Sequence, residues 1–370
     1  MSKCLCTFLK NISYIFKGRK VYCIYSQHSN KYNGISHYLQ TLYPDYGVEM
    51  SVKLTMKEPY SKSRFLSKKF RGYFDLLRPF TLLAPFFVSM CIMFASLVYN
   101  DKFVEFPNWW IIIGQASLTL AFLNGASNAL NQATDVESDK ISKPYRPIPR
   151  GVVERDEAQS IAYILYLFAL LRAVTINTWF GVFVFLIMLF TVVYSLPPRM
   201  KRFLFVNQVW IAIPRGLFAI LASWSVFGNP FQMVPLMIGL IALVFFMGAM
   251  TTKDIVDCEA DRKTGTRTLI NTFGIRKAAF ISLPFLIVPF AMIPIFIHYH
   301  MINLYLLPLT IFIIPSFFIF YFMLKQPQNE TLENVPAWSL MYVTYLFYAI
   351  GFTTLIILGE LGQLSFIQPI

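Results

Sequence analysis

Nine runs of about twenty predominantly apolar residues constrain this chain more than any other feature. They cover roughly 76–99, 109–130, 158–176, 179–196, 206–227, 232–251, 278–298, 302–323 and 337–358. Twenty residues of helix span about 30 Å, the thickness of a bilayer's hydrocarbon core. Every backbone amide in that medium must be paired within its own segment, so the runs predict helices. Composition agrees, with 56% hydrophobic and only 14% charged residues, where a soluble domain carries about a quarter as charges. The expected fold is all-α, a polytopic membrane helical bundle with about nine transmembrane helices. Only Asn177 and Thr178 separate the third and fourth runs, which predicts a tight helical hairpin. Pro85, Pro214, Pro235, Pro284, Pro289 and Pro294 fall inside runs and predict kinks that neighbouring helices satisfy.

Charge then orients the bundle. Of the Lys and Arg residues, thirteen precede Phe74, and most others crowd into the loops after even-numbered runs. The loop after run two holds Lys140, Lys143, Arg146, Arg150 and Arg155; that after run four, Arg199, Lys201 and Arg202; that after run six, Lys253, Arg262, Lys263, Arg267, Arg276 and Lys277. The positive-inside rule puts these loops and the N-terminus in the cytoplasm. Residues 1–73 are basic and show no sustained period, and read as a cytosolic extension with partial disorder; 74–370 form the membrane domain. Within the extension, Lys62, Arg64, Lys68, Lys69 and Arg71 suit an anionic lipid surface. The net charge of +13 does not predict nucleic-acid binding, because the cations form no stripe interleaved with stacking aromatics. The five cysteines, Cys4, Cys6, Cys23, Cys91 and Cys258, give neither a disulfide framework nor a zinc spacing. Cys4 and Cys6 read as free thiols or as acylation sites. The first residues form no secretory signal, and a transit peptide stays open.

The acidic residues gather at two places. Run two ends in Asn131-Gln-Ala-Thr-Asp135-Val-Glu-Ser-Asp139, and run six in Lys253-Asp254-Ile-Val-Asp257-Cys-Glu-Ala-Asp261. Steps of three and four put each set along one helix face. Both sets lie on the same side of the membrane by the charge argument, so two carboxylate faces can oppose each other across the mouth of a bundle. Carboxylates so close repel unless a cation joins them. A few hard oxygens completed by water and phosphate are the Mg²⁺ pattern. The adjacent Lys140, Lys143, Arg146, Lys253 and Arg262 suit a multiply charged anion. One acidic helix end alone is often a solvated loop, as Glu137, Asp156 and Glu259 read here; two matching ends are harder to obtain by chance.

These residues resemble the UbiA superfamily of intramembrane prenyltransferases, from about Arg78 to the C-terminus. The resemblance rests on Arg78-Pro79, on Asn131-x3-Asp135-x3-Asp139 running into Lys143-Pro-Tyr-Arg146-Pro, on Tyr194-Ser-Leu-Pro-Pro-Arg199-Met-Lys201, and on Lys253-Asp254-x2-Asp257-x3-Asp261. It implies a Mg²⁺-dependent transferase that moves a prenyl group from a prenyl diphosphate to a lipophilic acceptor. It further implies that Asn131, Asp135, Asp139, Asp254, Asp257 and Asp261 hold two Mg²⁺ ions. By the same resemblance Arg78, Lys140, Lys143, Arg146, Tyr194 and Lys253 contact or position the diphosphate. Some of the 37 phenylalanines would offer π faces to an allylic cation.

The stretch Asp139-Lys-Ile-Ser-Lys-Pro-Tyr-Arg146, with Asn207 and Pro214-Arg215-Gly216 in run five, is similar to members acting on geranylgeranylglyceryl phosphate. The favoured reading is therefore a geranylgeranyl donor and that acceptor. Gln132-Ala133 departs from the Asp and aromatic that many members carry there. Homogentisate-type members share Asn-Gln, which keeps a quinone, tocopherol or chlorophyll-type aromatic acceptor open. Arg215 is a charge within a span: it reads either as a contact for an anionic acceptor or as an arginine snorkelling or paired inside the bundle. A cation-coupled transporter is the alternative from another class, but the acids sit at helix ends and no inverted repeat is evident. An inactive scaffold is a third, disfavoured by the complete acidic set.

Overall fold

The computed structural model describes residues 12–17, 20–25, 47–48, 68–325 and 335–364. The acylation reading of Cys4 and Cys6, and Lys62 and Arg64 of the basic cluster, fall outside them. The chain divides into two compact units, Met1–Leu66 and Ser67–Ile370. In the first, β1 (Ile12–Lys17) pairs antiparallel with β2 (Lys20–Tyr25), which runs parallel to β3 (Gly47–Val48). No strand was expected in 1–73 from the sequence. The signal for these strands was the β-branched and aromatic residues on either side of Gly18-Arg19.

The second unit is helical throughout its described residues, and nine of its helices are long and apolar enough to cross a membrane. A short helix α1 (Lys68–Leu76) leads into α2 (Pro79–Tyr99). Then follow α3 (Trp109–Thr134), the short α4 (Val136–Ser142), α5 (Arg155–Ile176) and α6 (Thr178–Ser195). The series ends with α7 (Val206–Trp224), α8 (Met233–Thr264), short α9 (Leu269–Phe273), α10 (Ile275–His298), α11 (Leu304–Lys325) and α12 (Pro336–Glu360). The α5–α6 hairpin turns on Asn177, whose side-chain Oδ1 accepts from the Phe180 amide at 2.7 Å and caps α6.

Two buried apolar clusters hold the bundle together. One joins α3, α5 and α6 through Leu120, Ala126, Ala129, Ala162, Ala169 and Phe180. The small residues on the facing sides of α3 and α5 let the two backbones approach closely. The other joins α8, α10, α11 and α12 around Phe245, Phe290, Phe312 and Tyr348. Large side chains elsewhere point outward, among them Ile164, Leu171, Ile311 and Phe317, as they should where hydrocarbon replaces water.

Two helices outrun the apolar runs that predicted them. The α3 helix continues to Thr134 and α8 to Thr264. The second motif is therefore carried on α8 itself, while the first runs from the end of α3 across Asp135 onto the short α4.

Candidate active site

The break between α1 and α2 is held by a polar ladder on α3. Asn124, Asn128 and Gln132 recur every four residues and so share one helix face. Asn124 Nδ2 donates to the Thr81 carbonyl at 3.1 Å. Asn128 Nδ2 donates to the Leu77 carbonyl at 2.9 Å and to Thr81 Oγ1 at 2.8 Å. Gln132 Nε2 donates to the Leu76 carbonyl at 2.6 Å. Carbonyls freed by the interrupted helix are thereby satisfied inside the bundle. The break places Arg78 in the left-handed region, with φ at 55°, a conformation that costs a non-glycine residue about 1–2 kcal/mol. Arg78 lines the large cavity at this end of the bundle.

That cavity, of about 470 Å³, is where the two motifs meet. Asn131, Asp135 and Asp139 line it from the α3–α4 side, and Asp254, Asp257 and Asp261 from α8. The helix ends at Thr134 and restarts at Val136, so Asp135 sits at the junction. Arg199 Nη2 donates to Asp135 Oδ1 at 2.8 Å, and Lys201 Nζ pairs with the same carboxylate. Lys201 Nζ also donates to Asn131 Oδ1 at 3.1 Å. Arg146 Nη1 bridges both oxygens of buried Asp139, at 3.0 and 2.8 Å. Lys253 Nζ lies 2.5 Å from Asp254 Oδ1. Lys143, from the loop after α4, pairs with Asp257 and so ties one motif to the other. Burial pushes the Asp139 carboxyl above its ordinary value against the pull of Arg146 and Lys143, and pushes the Lys201 ammonium below its own against the pull of Asp135.

Nine basic side chains line the cavity against six acidic ones. The excess of positive charge suits an anion richer in charge than a carboxylate, and does not suit a pathway for bare cations. The acidic groups nevertheless fit Mg²⁺. Asp254 Oδ2 is buried without a hydrogen-bond partner, which leaves a hard oxygen available. Among the described residues no three His, Cys, Asp or Glu side chains converge into a closed cage. Magnesium uses few protein oxygens and completes its shell with water and phosphate.

Of the residues singled out in the sequence, Arg78, Asn131, Asp135, Asp139, Lys143, Arg146, Tyr194, Arg215, Lys253, Asp254, Asp257 and Asp261 all line this cavity. Lys140 does not. Its Nζ pairs with Glu137 at 2.8 Å on the exposed side of α4. Successive helical residues point about 100° apart, so Asp139 facing inward turns Lys140 out. Sequence reasoning missed Arg199 and Lys201 as site residues. Lys201 Nζ also lies 5.7 Å from the Tyr194 ring centroid. The signal was present in the Pro-Pro-Arg-Met-Lys segment, which carries two cations just past the end of α6.

A second, smaller cavity of about 80 Å³ is apolar and lined by Ala84, Val88, Leu120, Leu123, Ile187 and Ala219 among others. Thr191, Pro214, Arg215 and Tyr342 line both cavities, so the polar mouth leads into an apolar interior. At their junction α7 opens into a π-helical turn, Ile213–Phe218, of the kind that often marks functional sites. A Cβ on Gly216 would lie 2.4 Å from the Leu243 backbone nitrogen, so only glycine lets α7 approach α8 here.

The description of the UbiA prenyltransferase family matches residues 82–341. A digeranylgeranylglyceryl phosphate synthase from Methanosphaera stadtmanae is 25% identical over 75% of this chain and 98% of its own length. A homogentisate solanesyltransferase from Arabidopsis thaliana is 30% identical over 74% of each chain. Among solved structures, a digeranylgeranylglyceryl phosphate synthase superposes with a TM-score of 0.57 at 21% identity, covering 79% of this chain and 99% of that one. A UbiA homologue from Archaeoglobus fulgidus bound to GPP and Mg²⁺ gives 0.53 at 20% identity, covering 76% and 99%.

Proposed function

The chain belongs to the UbiA prenyltransferase family, and on that premise we propose that it transfers a geranylgeranyl group from its diphosphate to geranylgeranylglyceryl phosphate. It is a multi-pass integral membrane enzyme. The observation that carries the reading is the single cavity in which both acidic motifs and their cations meet beneath an apolar interior.

Asn131, Asp135 and Asp139 would hold one Mg²⁺, and Asp254, Asp257 and Asp261 the second. Bound there, the metal supplies charge neutralisation that turns the diphosphate into a leaving group. Lys143, Arg146, Arg199, Lys201 and Lys253 give the released diphosphate charge-assisted partners, and Arg78 reaches it from the break before α2. The prenyl chain lies in the apolar cavity, which keeps water from the allylic carbon as its C–O bond breaks. The acceptor hydroxyl oxygen closes on that carbon, and its proton passes to the released diphosphate. Tyr194 stands beside Lys201 and positions it. The basic loops after α4, α6 and α8 orient the mouth toward the cytoplasm.

The excess of cations around the motifs disfavours a cation-coupled transporter. An aromatic acceptor is the second reading, and the 30% identity to a homogentisate solanesyltransferase favours it. Purified protein given radiolabelled geranylgeranyl diphosphate and Mg²⁺, with geranylgeranylglyceryl phosphate or homogentisate, separates the two. Product with the first acceptor supports the ether-lipid reading. Product with homogentisate alone overturns it in favour of the quinone branch.

A further inference from the structure

Among the described residues, Arg215 is the one basic residue that lines both the polar cavity and the apolar one. Lys143, Arg146, Arg199, Lys201 and Lys253 each meet a motif aspartate. Among the described residues Arg215 meets none; its contact is the Tyr342 hydroxyl, 3.5 Å from Nη1. It lies within the fifth span, eight residues beyond Asn207, or about 12 Å further along the helix. A guanidinium at that depth is costly unless it meets an anion. Its position is nonetheless fixed. Tyr345 Oη donates to the Arg215 carbonyl at 3.1 Å, and the π turn and the close approach of Gly216 hold its backbone. Tyr342 is itself packed against Trp338, which also lines the polar cavity, with ring centroids 4.4 Å apart.

The site therefore has two separate positive regions. No motif residue lines the apolar cavity, whereas Arg215 lines both it and the polar one. The diphosphate is enclosed by the motif cations at the mouth. Arg215 stands on the apolar side of them, where an acceptor must approach the allylic carbon. An unmatched positive charge there would oppose the allylic cation, and an anionic acceptor removes that opposition.

We propose that Arg215, with the Tyr342 hydroxyl beside it, binds the oxyanion of the acceptor, and that this pairing selects anionic acceptors over neutral lipids of the same shape. The planar guanidinium can take a phosphate monoester or a carboxylate through two parallel hydrogen bonds. This rests on the prenyl-transfer reading above and adds the residue that recognises the charge of the second substrate.

The test uses the full-length protein with geranylgeranyl diphosphate and Mg²⁺. Acceptors are geranylgeranylglyceryl phosphate, its dephosphorylated alcohol, and homogentisate for the carboxylate. Wild-type protein should prefer the phosphate to the alcohol. Arg215→Gln should raise KM for the phosphate acceptor about tenfold or more, the order expected from losing a charge-assisted hydrogen bond, and so collapse that preference. KM for the donor should move by less than about twofold, since the motif cations hold the diphosphate. Arg215→Lys should recover part of the preference, because the charge returns without the planar fork. If Arg215→Gln does not fold, Tyr342→Phe carries the test through a severalfold rise in the same KM. Homogentisate used in place of the phosphate, with the same loss on Arg215→Gln, assigns the oxyanion to a carboxylate and upholds the site. A variant equally impaired with the phosphate and the alcohol, or one whose donor KM rises instead, overturns the proposal. Wild-type protein that consumes no prenyl diphosphate overturns both this and the reading it rests on, before any variant is compared.

Discussion

Lys143, in the loop after the first acidic motif, forms an ion pair with Asp257 of the second, 114 residues away in sequence. Both partners are largely shielded, with side chains 9% and 24% exposed, so the pair is a fixed crosslink between the two halves of the site. Removing Lys143 leaves a poorly solvated carboxylate unmatched and frees the loop that carries Arg146. Lys143→Met should lower turnover about ten- to a hundredfold, the range seen when an orienting partner of a metal ligand is lost. Steady-state kinetics with saturating Mg²⁺ would show it as a fall in kcat; an unchanged kcat would mean that the crosslink is dispensable.

Gln132 supports the site without touching substrate. Its amide donates to the Leu76 carbonyl at the break that sets the Arg78 conformation. Gln132→Leu leaves that carbonyl unpaired in the bundle, and should cost about 1–3 kcal/mol of stability. A thermal melt in detergent would register the loss as a lower Tm. A Tm equal to that of the parent protein would show that water or another donor takes over.

How far the sequence announced these features depends on the length scale each one needs. Apolar runs long enough for a bilayer located the nine spans, because the medium leaves the backbone no alternative to helix. The two motifs were legible because carboxylates at helical spacing have few uses at a membrane boundary. Lys140 lies outside the cavity, since adjacency in sequence does not say which way a side chain turns on a helix. Lys201 was overlooked for the converse reason: it is distant from Asn131 in sequence and reaches it only through the turn after α6. The Asn124, Asn128 and Gln132 ladder had a visible period of four, but its purpose depends on carbonyls freed more than forty residues earlier. The strands in the first unit were missed because short alternating stretches give a weak signal beside long apolar runs.

The apolar cavity should set donor length. Ala219 lines it, and Ala219→Phe fills space that a long prenyl chain needs. Its kcat/KM for geranylgeranyl diphosphate should fall relative to that for geranyl diphosphate, by about tenfold, as hydrophobic pockets discriminate by size on that order. Equal effects on both donors would place the chain elsewhere.

Asp139 makes a prediction about pH. Burial raises its carboxyl above the ordinary range, so keeping it ionised in the folded protein costs stability. That cost is absent at acid pH and develops as pH rises from the unfolded value through the raised one. Melts in EDTA should therefore lose stability over that interval. Asp139→Asn, which cannot ionise, should flatten the slope. An unaltered slope in the variant would show that Asp139 does not carry the effect.

The most direct test of the whole account is the consumption of geranylgeranyl diphosphate by purified protein and by Asp135→Asn, each measured across a Mg²⁺ titration with EDTA as the zero point. The account predicts turnover that requires Mg²⁺ in the parent protein, and a loss of about a hundredfold or more in the variant at every metal concentration. Turnover that persists in EDTA, or that Asp135→Asn leaves intact, would contradict a site built from these two motifs.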